Sequence, residues 1–500
     1  MATQIGVDRA PVRLAAWLAA RWSELLFGAS LIIGLSARIA YGRGMPLWFD
    51  ETFTGTIATQ TSLPRLVHWC LTELTGPFFY GTMWLWVKLA GASTAALRLP
   101  GLALSVAAPL LLYARGHADR ELRLAWASVT LLWLPILPFA NDARPYALLF
   151  FLGCVQGIAF LHLIRAPGTR TAFGWAAVTA AMILTHYGAL AIGGVQGLLY
   201  LLAHRKRAVA TWPALAAFLP VAGWMAFHLA FTLSLTVGSG SNFVGLTPGE
   251  LVMVPGALFG TGTIGVIVMG TLTATLLVPR FRLAIAAVAS RPEALLAASG
   301  VLACALVIGL AMLHAGFAPR YLMPSMPALL FGVALWVRGM ARTDMRPVLL
   351  VVGVMLSSAA TILCSSLADR RIDARHLFGF ELASQWLMQR PPERLVFLWT
   401  DAMGDSADAW NLADLAGFVF RRDGHPLAVR VVKRRDGADP NALALRAAGA
   451  HTNSAILWIA NDHDQPHPIV PQIAARDPRW ECREFGTEVT VTACRRRSAG

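Results

Sequence analysis

The sequence has few charged residues, and this shortage excludes a soluble globular chain. Charged residues make up 14% of the 500 residues and hydrophobic residues 56%, and the mean hydropathy is +0.57. Soluble domains carry about 25% charged residues. Long apolar stretches recur, for example at 25–39, 125–139 and 295–313, and a bilayer core requires about 20 such residues per helix. The composition therefore predicts an α-helical polytopic membrane protein.

Acidic residues are scarcer than basic ones, at 28 against 42, which gives a net charge of +14. A basic balance can indicate nucleic-acid binding, but here the basic residues form no single patch. They cluster between apolar segments, which is typical of cytoplasmic loops under the positive-inside rule. We therefore expect no nucleic-acid partner. The clusters are Arg9/Arg13/Arg21, Arg115/Arg120/Arg123, Arg165/Arg170, Arg205/Lys206/Arg207, Arg280/Arg282/Arg291 and Arg338/Arg342/Arg346.

Cysteine is also scarce, and none of the six cysteines has a metal-binding spacing. Four are scattered in or near apolar segments, where we expect them to pack. Cys482 and Cys494 lie close together in the tail. In an oxidising compartment they could form a disulfide, and two free thiols fit the sequence equally well.

The basic clusters decide the predicted topology. The segment 76–90 is apolar but short and carries Lys88, and counting it as a span would place Arg120 outside. We therefore place it flat on the outer surface. About eleven spans remain, the first one uncleaved, and this odd number puts the tail outside if the N-terminus is cytoplasmic. The spans are predicted near 24–42, 97–114, 122–139, 145–164, 171–185, 188–203, 211–231, 262–279, 294–314, 320–338 and 347–365.

The composition changes after residue 365, where charged residues become frequent and long apolar runs stop. Short runs at 395–399, 427–432, 455–459 and 489–492 predict strands, and 407–418 predicts a helix between two of them. We therefore divide the chain into a membrane domain at 1–365, with an outer loop at 43–96, and a small soluble extracytoplasmic α/β domain at 366–500.

Two adjacent carboxylates, Asp50 and Glu51, follow the first predicted span. Asp50 could simply cap a helix over 51–60. The functional interpretation is that a carboxylate in a partly dry cleft takes a proton from an acceptor hydroxyl. We predict Asp50 and Glu51 as the catalytic residues.

Three arginines stand at the predicted outer ends of spans: Arg98, Arg144 and Arg320. A snorkelling interface residue, a local ion pair with Asp142 and an interfacial anchor are the respective alternatives. A guanidinium offers bidentate donors and keeps its charge, which suits a phosphate. Because all three map to the outer face, we predict that they bind the phosphate of a lipid-linked substrate.

Five further polar residues map to the same face and are predicted to bind substrate. The five residues are Asp142, Tyr146, His186, Tyr187 and Tyr321. The alternatives are a local ion pair with Arg144 for Asp142, a structural role for His186, since a lone histidine in a turn is more often structural than a ligand, and an interfacial anchor for Tyr321.

The ordered series of outer motifs resembles the membrane-embedded GT-C glycosyltransferases, especially the protein O-mannosyltransferase and aminoarabinose lipid A transferase branch. The likeness covers residues 24–340, and each motif is weak alone while the series is fairly specific. The motifs are FDE at 49–51, GPFFY at 76–80, LRLP at 97–100, ARPY at 143–146, THY at 185–187 and RY at 320–321.

The resemblance implies a GT-C fold and a glycosyltransferase that uses a polyprenyl-phosphate-linked sugar. Transfer would invert the anomeric carbon on the periplasmic or lumenal side, with Asp50 matching the family's catalytic carboxylate and Arg98 an essential arginine. The acceptor would be a lipid, a glycan or a protein. Usage rich in Ala, Arg and Gly suggests a bacterial chain. We therefore expect a cell-envelope enzyme in the bacterial inner membrane.

One motif departs from the family. Many relatives have His-Pro-Pro where this chain has Thr75-Gly76-Pro77, and some bind a divalent ion with an acid and a histidine near the cavity. Because that histidine is absent, we assign no metal to Glu73 and expect no cofactor.

Two other classes fit an outer polar cluster. A lipid or sugar transporter such as a flippase would need polar groups through the membrane midplane, but the predicted spans are apolar at their centres. A non-catalytic assembly subunit would not need the outer acids. Transfer explains the collected charges better than either.

Overall fold

The fold is taken from a computed structural model of the full chain. The structure describes residues 21–73, 75–237, 246–260, 262–313, 318–368, 379–400, 407–433, 439–449, 451, 453–460, 471–486 and 490–497. The predicted basic residues Arg9 and Arg13 lie outside the described residues, as do residues 238–245 and 261, between the spans predicted at 211–231 and 262–279, and the first residue of the strand predicted at 489–492.

A bundle of long helices forms the first three quarters of the chain. Three shorter helices, α2 to α4, interrupt it after the first one. In chain order the helices are α1 (Trp22–Ala40), α2 (Phe49–Ala58), α3 (Leu63–Leu71), α4 (Pro77–Ala90), α5 (Thr94–Arg115), α6 (Arg120–Leu131), α7 (Leu137–Ala140), α8 (Tyr146–Arg165), α9 (Thr169–Thr185), α10 (Ala189–His204), α11 (Lys206–Val209), α12 (Leu219–Val237), α13 (Val254–Phe259), α14 (Thr263–Leu277), α15 (Pro279–Val288), α16 (Arg291–Leu313), α17 (Met326–Ala341) and α18 (Arg346–Ala368). Short 3-10 helices cover Leu134–Ile136, Trp212–Phe218, Pro248–Met253 and Pro319–Leu322.

Each predicted span coincides with helical structure, but length limits how many qualify as spans. Among the described residues, six helices are long and apolar enough to cross a membrane, and there are up to eight if each of two bent pairs counts as one. Helices α10 and α17 are apolar but shorter. The membrane-protein class is confirmed, and the number of about eleven spans stays a prediction.

The long helices leave much apolar surface exposed, whereas the helices of soluble proteins bury their apolar faces. Only 11% of the apolar window at Trp212–Ala230 and 28% of that in α18 is buried. Ile32 and Phe227 are 70% and 78% exposed. Soluble proteins rarely expose apolar patches of this extent, so these faces are suited to lipid.

A break in the third predicted span is held by a buried arginine. Helix α6 and the segment 134–140 meet at 50°. Arg38 of α1 is fully buried and donates to the carbonyl oxygens of Gly34, Leu131 and Thr130. The carbonyls that a broken helix leaves unpaired need such donors, because lipid offers none.

The segment between α1 and α5 is helical, and none of its described helices is long enough to count as a candidate span. Helix α4 does not meet the length and hydropathy test for a span, in agreement with the prediction for 76–90, and its flat placement stays a prediction. Proline begins α4 at its first position, and Gly91, at φ +77°, ends it. Both features are favoured at these ends of a helix.

The C-terminal region is a five-stranded sheet with helices on both faces. The strands are β1 (Arg394–Trp399), β2 (Ala428–Val432), β3 (Ser454–Ala460), β4 (Trp480–Phe485) and β5 (Thr490–Arg496), in the order β2-β1-β3-β5-β4. Strand β1 is parallel to β2 and β3, and β5 is antiparallel to β3 and β4. The helices are α19 (Gly379–Met388), α20 (Ala409–Arg422), α21 (Pro440–Ala448) and α22 (Ile473–Arg476). The predicted small α/β domain is confirmed.

The prediction missed one strand and left the cysteines open. In β4 only Trp480 is fully buried, so no apolar run marks this strand in the sequence. Cys482 of β4 faces Cys494 of β5 across the antiparallel pair, and the two form a disulfide.

Candidate active site

Helical geometry separates the two adjacent carboxylates. Successive residues on a helix point about 100° apart, so Asp50 and Glu51 at the start of α2 face different surroundings. The Asp50 side chain is 30% exposed, whereas that of Glu51 is completely buried. Of this pair, only Asp50 can meet a substrate.

Glu51 is held in place by Arg98. Its carboxylate accepts from the Arg98 guanidinium, with Nε–Oε1 at 2.7 Å, and from the backbone N–H groups of Ala143 and Trp48. The remaining Arg98 donors reach carbonyl oxygens, which include those of Met45 and Pro46 at 2.7 and 2.6 Å. All five guanidinium N–H groups are therefore in use. The geometry argues against a catalytic Glu51 and against a phosphate contact by Arg98.

We expect Arg98→Ala to destabilise the fold, because it leaves the fully buried Glu51 without its charge partner. Breaking one side of a buried ion pair typically costs about 3–5 kcal/mol. In detergent, the unfolding temperature should fall by a large amount for Arg98→Ala and by less for the double variant Arg98→Met with Glu51→Leu. If Arg98→Ala instead had the wild-type unfolding temperature and bound the donor more weakly, the predicted phosphate contact of Arg98 would be supported.

The loop 141–144 is tied to the start of α2. Asn141 donates to the carbonyl oxygens of Arg38 and Tyr41 at the end of α1. Asp142 is buried and accepts from the Trp48 indole, with Nε1–Oδ1 at 2.9 Å. Burial and the nearby charge of Glu51 raise the pKa of Asp142 well above its ordinary value. Asp142 therefore positions the segment before Asp50 rather than facing outward.

Arg144 lies against Asp50 without closing a full ion pair. Its Nη2 is 3.7 Å from Asp50 Oδ2, and its Nη1 donates to the Asp50 carbonyl oxygen at 3.2 Å. The side chain is 10% exposed, and its Nε is buried without a hydrogen-bond partner. Burial opposes the charge, but Asp50 and its neighbours raise the pKa of Arg144, so the guanidinium stays charged. It thus has donor capacity left for an anion.

Glu73 is the site residue that the sequence did not identify. It follows α3 and accepts a hydrogen bond from the Tyr80 hydroxyl at 3.5 Å. Its carboxylate interacts electrostatically with Arg144 and Asp50. Burial raises the pKa of Glu73 to about 7, Arg144 opposes this rise and Asp50 adds to it. A carboxyl that titrates near neutrality is typical of functional sites. The only signal in the sequence was an isolated acid before a Gly-Pro pair.

Gly76 explains the departure from His-Pro-Pro. Thr75 and His186 form an antiparallel bridge, and the Gly76 N–H donates to the Thr185 carbonyl at 3.0 Å. A Cβ at position 76 would lie 1.9 Å from the Leu184 carbonyl oxygen. Glycine permits this close approach, which ties the segment of Glu73 to the turn of His186.

The predicted residues from later in the chain gather around His186. Its ring lies 6.2 Å from that of Tyr146 and 5.5 Å from that of Tyr321. Burial, with the charges of Arg320 and Arg144, lowers the pKa of His186 to about 4, so the ring is neutral. The Arg320 Nε is buried without a partner, and no ion pair links Arg320 to a described carboxylate.

Tyr187 points elsewhere. Its hydroxyl is hydrogen-bonded to His228 Nδ1 at 2.6 Å and accepts from the Trp224 indole at 2.9 Å. These contacts attach it to α12, which argues against the predicted role in substrate binding. Among the described residues, no group of three or more His, Cys, Asp and Glu could hold a metal ion.

An open depression of about 330 Å³ lies where α3 meets the start of α20. It is lined by Pro64, Arg65, His68, Asp408 and Trp410. The His68 ring stands 5.1 Å from that of Trp410. The depression therefore lies at the junction between the segment that connects α1 to α5 and the C-terminal domain.

Comparison with solved structures identifies the fold. ArnT from Cupriavidus metallidurans in the apo state matches with a TM-score of 0.52 at 13% identity, covering 95% of this chain and 98% of ArnT. The chain has the GT-C glycosyltransferase fold. ArnT bound to undecaprenyl phosphate matches with a TM-score of 0.53 at 14% identity over the same shares of the two chains. The resemblance predicted from the ordered motifs is thus confirmed for the fold.

An oligosaccharyltransferase from Archaeoglobus fulgidus also matches, at 11% identity and a TM-score of 0.43, over 89% of this chain and 70% of that one. No family model and no curated protein sequence matches this chain.

Proposed function

We propose that this protein is an inverting glycosyltransferase that uses a polyprenyl-phosphate-linked sugar. The observation that carries the proposal is Arg144, a nearly buried guanidinium with an unpartnered Nε, which lies 3.7 Å from the Asp50 carboxylate and interacts electrostatically with Glu73. The same chain has helices long and apolar enough to cross a membrane, in a fold of the GT-C type. A site of this kind suits an anionic head group attached to a lipid chain.

Arg144 and Arg320 would hold the donor phosphate. Both have a buried Nε without a partner, and Arg320 has no carboxylate that competes for it among the described residues. The structure of ArnT with undecaprenyl phosphate supports a polyprenyl phosphate as the lipid carrier. Guanidinium donors compensate the charge that grows on the phosphate as the bond to the sugar breaks, and such donors are typically worth about 3 kcal/mol each.

Asp50 would be the general base. It accepts the proton of the acceptor hydroxyl or amine while the acceptor attacks the anomeric carbon opposite the phosphate. The bond between that carbon and the phosphate oxygen breaks, and polyprenyl phosphate leaves with the electron pair. No acid is needed, because the phosphate is a good leaving group. Attack from the opposite face inverts the anomeric centre.

The other residues divide into two groups. Tyr146, His186 and Tyr321 are proposed to contact the donor beside Arg320. The Glu51–Arg98 pair and the Asp142–Trp48 hydrogen bond would keep Asp50 at the start of α2 in place. The acceptor, which we propose to be a lipid, a glycan or a protein, would enter from the side of the depression at His68 and Trp410.

The proposed location is the bacterial inner membrane, with the site and the C-terminal domain on the periplasmic side. The support is the charge distribution along the chain. Arg120, Arg338 and Arg342 lie together at one end of the bundle with Asp119 and Glu121, and the segments that carry Asp50 and Arg144 lie at the other. Excess basic charge favours the cytoplasmic end.

Donor binding should weaken as the pH rises through about 7. Glu73 is protonated below its raised pKa and ionises above it, which adds a negative charge beside Arg144 that competes with the donor phosphate. We expect several-fold lower donor affinity at pH 8.5 than at pH 6, measured by equilibrium binding, and no such change in Glu73→Gln. A transfer rate that rises through about 7 and is lost in Glu73→Gln would give the role of base to Glu73.

The function is tested by incubating purified protein with radiolabelled polyprenyl-phosphate sugars and a cell-envelope acceptor fraction. Transfer of label from one donor, absent in Asp50→Asn, is the expected result and names the sugar. No transfer from any donor by a folded wild-type protein would contradict the proposal, and a flipping assay would then examine transport.

A further inference from the structure

The C-terminal domain and the acidic outer loop share one hydrophobic core. Leu47, Ile57 and Trp69 from the outer loop belong to the same buried cluster as Phe397 and Phe418 from the C-terminal domain. The bundle has its own separate core. The apolar residues of the segment that bears the carboxylates therefore pack with the tail, in addition to the polar contacts that this segment makes with Arg98 and Asp142.

Helix α2 is packed directly against the tail. The Phe49 ring, next to Asp50, lies 5.3 Å from that of Trp399 and 5.9 Å from that of Phe380. At Gly55 the approach is closer still, since a Cβ would lie 2.2 Å from Phe418 Cζ. Close packing of this kind fixes the position of a helix.

A buried carboxylate from the tail holds the chain just before Asp50. Glu381 of α19 is 1% exposed and accepts from the backbone N–H of Leu47 and from the Thr94 hydroxyl at 3.3 Å. Arg422 of α20 balances its charge at 2.7 Å. Hydrogen bonds to a charged group are worth about twice those between neutral groups. This contact therefore strongly fixes the backbone three residues before Asp50.

A second contact of the same kind stands before Glu73. Asp414 of α20 accepts from the Gln60 amide and from the Trp69 indole at 3.1 Å. Asn411, also of α20, donates to the Thr72 hydroxyl at 3.0 Å. Thr72 immediately precedes Glu73. Each acidic segment of the site is thus attached to the tail by its own buried polar contact.

We propose that the C-terminal domain completes the active site by positioning its two carboxylates, and that Glu381 is the principal positioning residue. The bundle supplies Arg144 and Arg320, and the tail sets where Asp50 and Glu73 stand relative to them. Glu381 acts through the Leu47 backbone and touches no substrate. This inference rests on the proposed function, since it concerns the same site.

Glu381→Ala should lower kcat while donor affinity stays near that of the wild type. The arginines that bind the phosphate are on the bundle side, but a base displaced by about 1 Å can lose about 100-fold in rate. We expect a 10- to 100-fold fall in kcat. The double variant Glu381→Gln with Arg422→Gln, which keeps an acceptor for Leu47 and removes both charges, should recover most of it.

Hydrogen–deuterium exchange of the full-length protein gives a readout that does not depend on activity. Glu381→Ala should speed exchange across 46–58, whereas Asp439→Asn should not. Asp439 is a matched control, because it pairs with Arg476 on the exposed side of the same domain.

The outcomes separate the two proposals. An inactive wild type removes the proposed function. An active wild type with unchanged kcat and exchange in Glu381→Ala overturns only the positioning role. Equal losses of donor affinity and kcat in Glu381→Ala would indicate general unfolding and would also overturn it.

Discussion

Asp50→Asn is expected to abolish transfer while donor binding is kept. An asparagine is nearly the same size but cannot accept the acceptor's proton, and a positioned base typically contributes about 100-fold to 10,000-fold. The helix start is held by Glu51 and Asp142, so it should stay in place. Turnover and equilibrium donor binding, measured on the same preparation, check this result.

The matched control is Asp477→Asn, which changes an aspartate paired with the exposed Arg479 in the tail and should transfer normally. A second effect is expected from the electrostatics of the site. Asp50 helps to raise the pKa of Glu73, so in Asp50→Asn the fall of donor affinity should move to lower pH. Unchanged turnover in Asp50→Asn would remove Asp50 from the role of base.

Arg144→Gln is expected to weaken donor binding by about 10- to 100-fold, since hydrogen bonds to a charged group contribute about 1.5–3 kcal/mol. Arg144→Lys should recover part of this loss, because it restores the charge but not the planar fork of donors. Binding of a labelled polyprenyl-phosphate sugar in detergent measures the effect.

Arg120→Gln is a matched control, because it removes an arginine that pairs with Glu24 near the opposite end of α1. Because ionised Glu73 is proposed to compete with the donor phosphate for Arg144, most of the fall of donor affinity with rising pH should be lost in Arg144→Gln. Wild-type donor affinity in Arg144→Gln would sink the phosphate-binding role.

Residues that act together at this site come from distant parts of the chain, which limits what a sequence can predict. Glu51 meets Arg98 across 47 residues and Ala143 across 92. The motifs at both positions were visible, but a motif does not say which partner a side chain meets. Arg98 was therefore assigned to a phosphate, whereas packing places it on Glu51.

Glu73 shows the same limit, because the structure places it in the site although the sequence assigned it no role. Its raised pKa comes from its burial and from the charge of Asp50, and Arg144 opposes the rise. Neither the burial nor these neighbours can be read from the residues around it in the sequence. The metal question drew attention to position 73, but an isolated acid in a loop predicts no role. Its place in the cluster depends on the approach of Gly76 to the end of α9 and on the contact of Asn411 with Thr72.

The sequence by itself determined the membrane class, the order of the long helices and the α/β character of the tail. These follow from hydropathy and charge, which are local sums along the chain. Tertiary structure alone decided that Asp50 faces outward while Glu51 is buried, that Arg98 is fully paired, and that Cys482 and Cys494 are joined. It also decided that Glu381, 334 residues after Leu47, holds the acidic loop. Such pairings depend on which surfaces pack together, and local patterns carry no information about that.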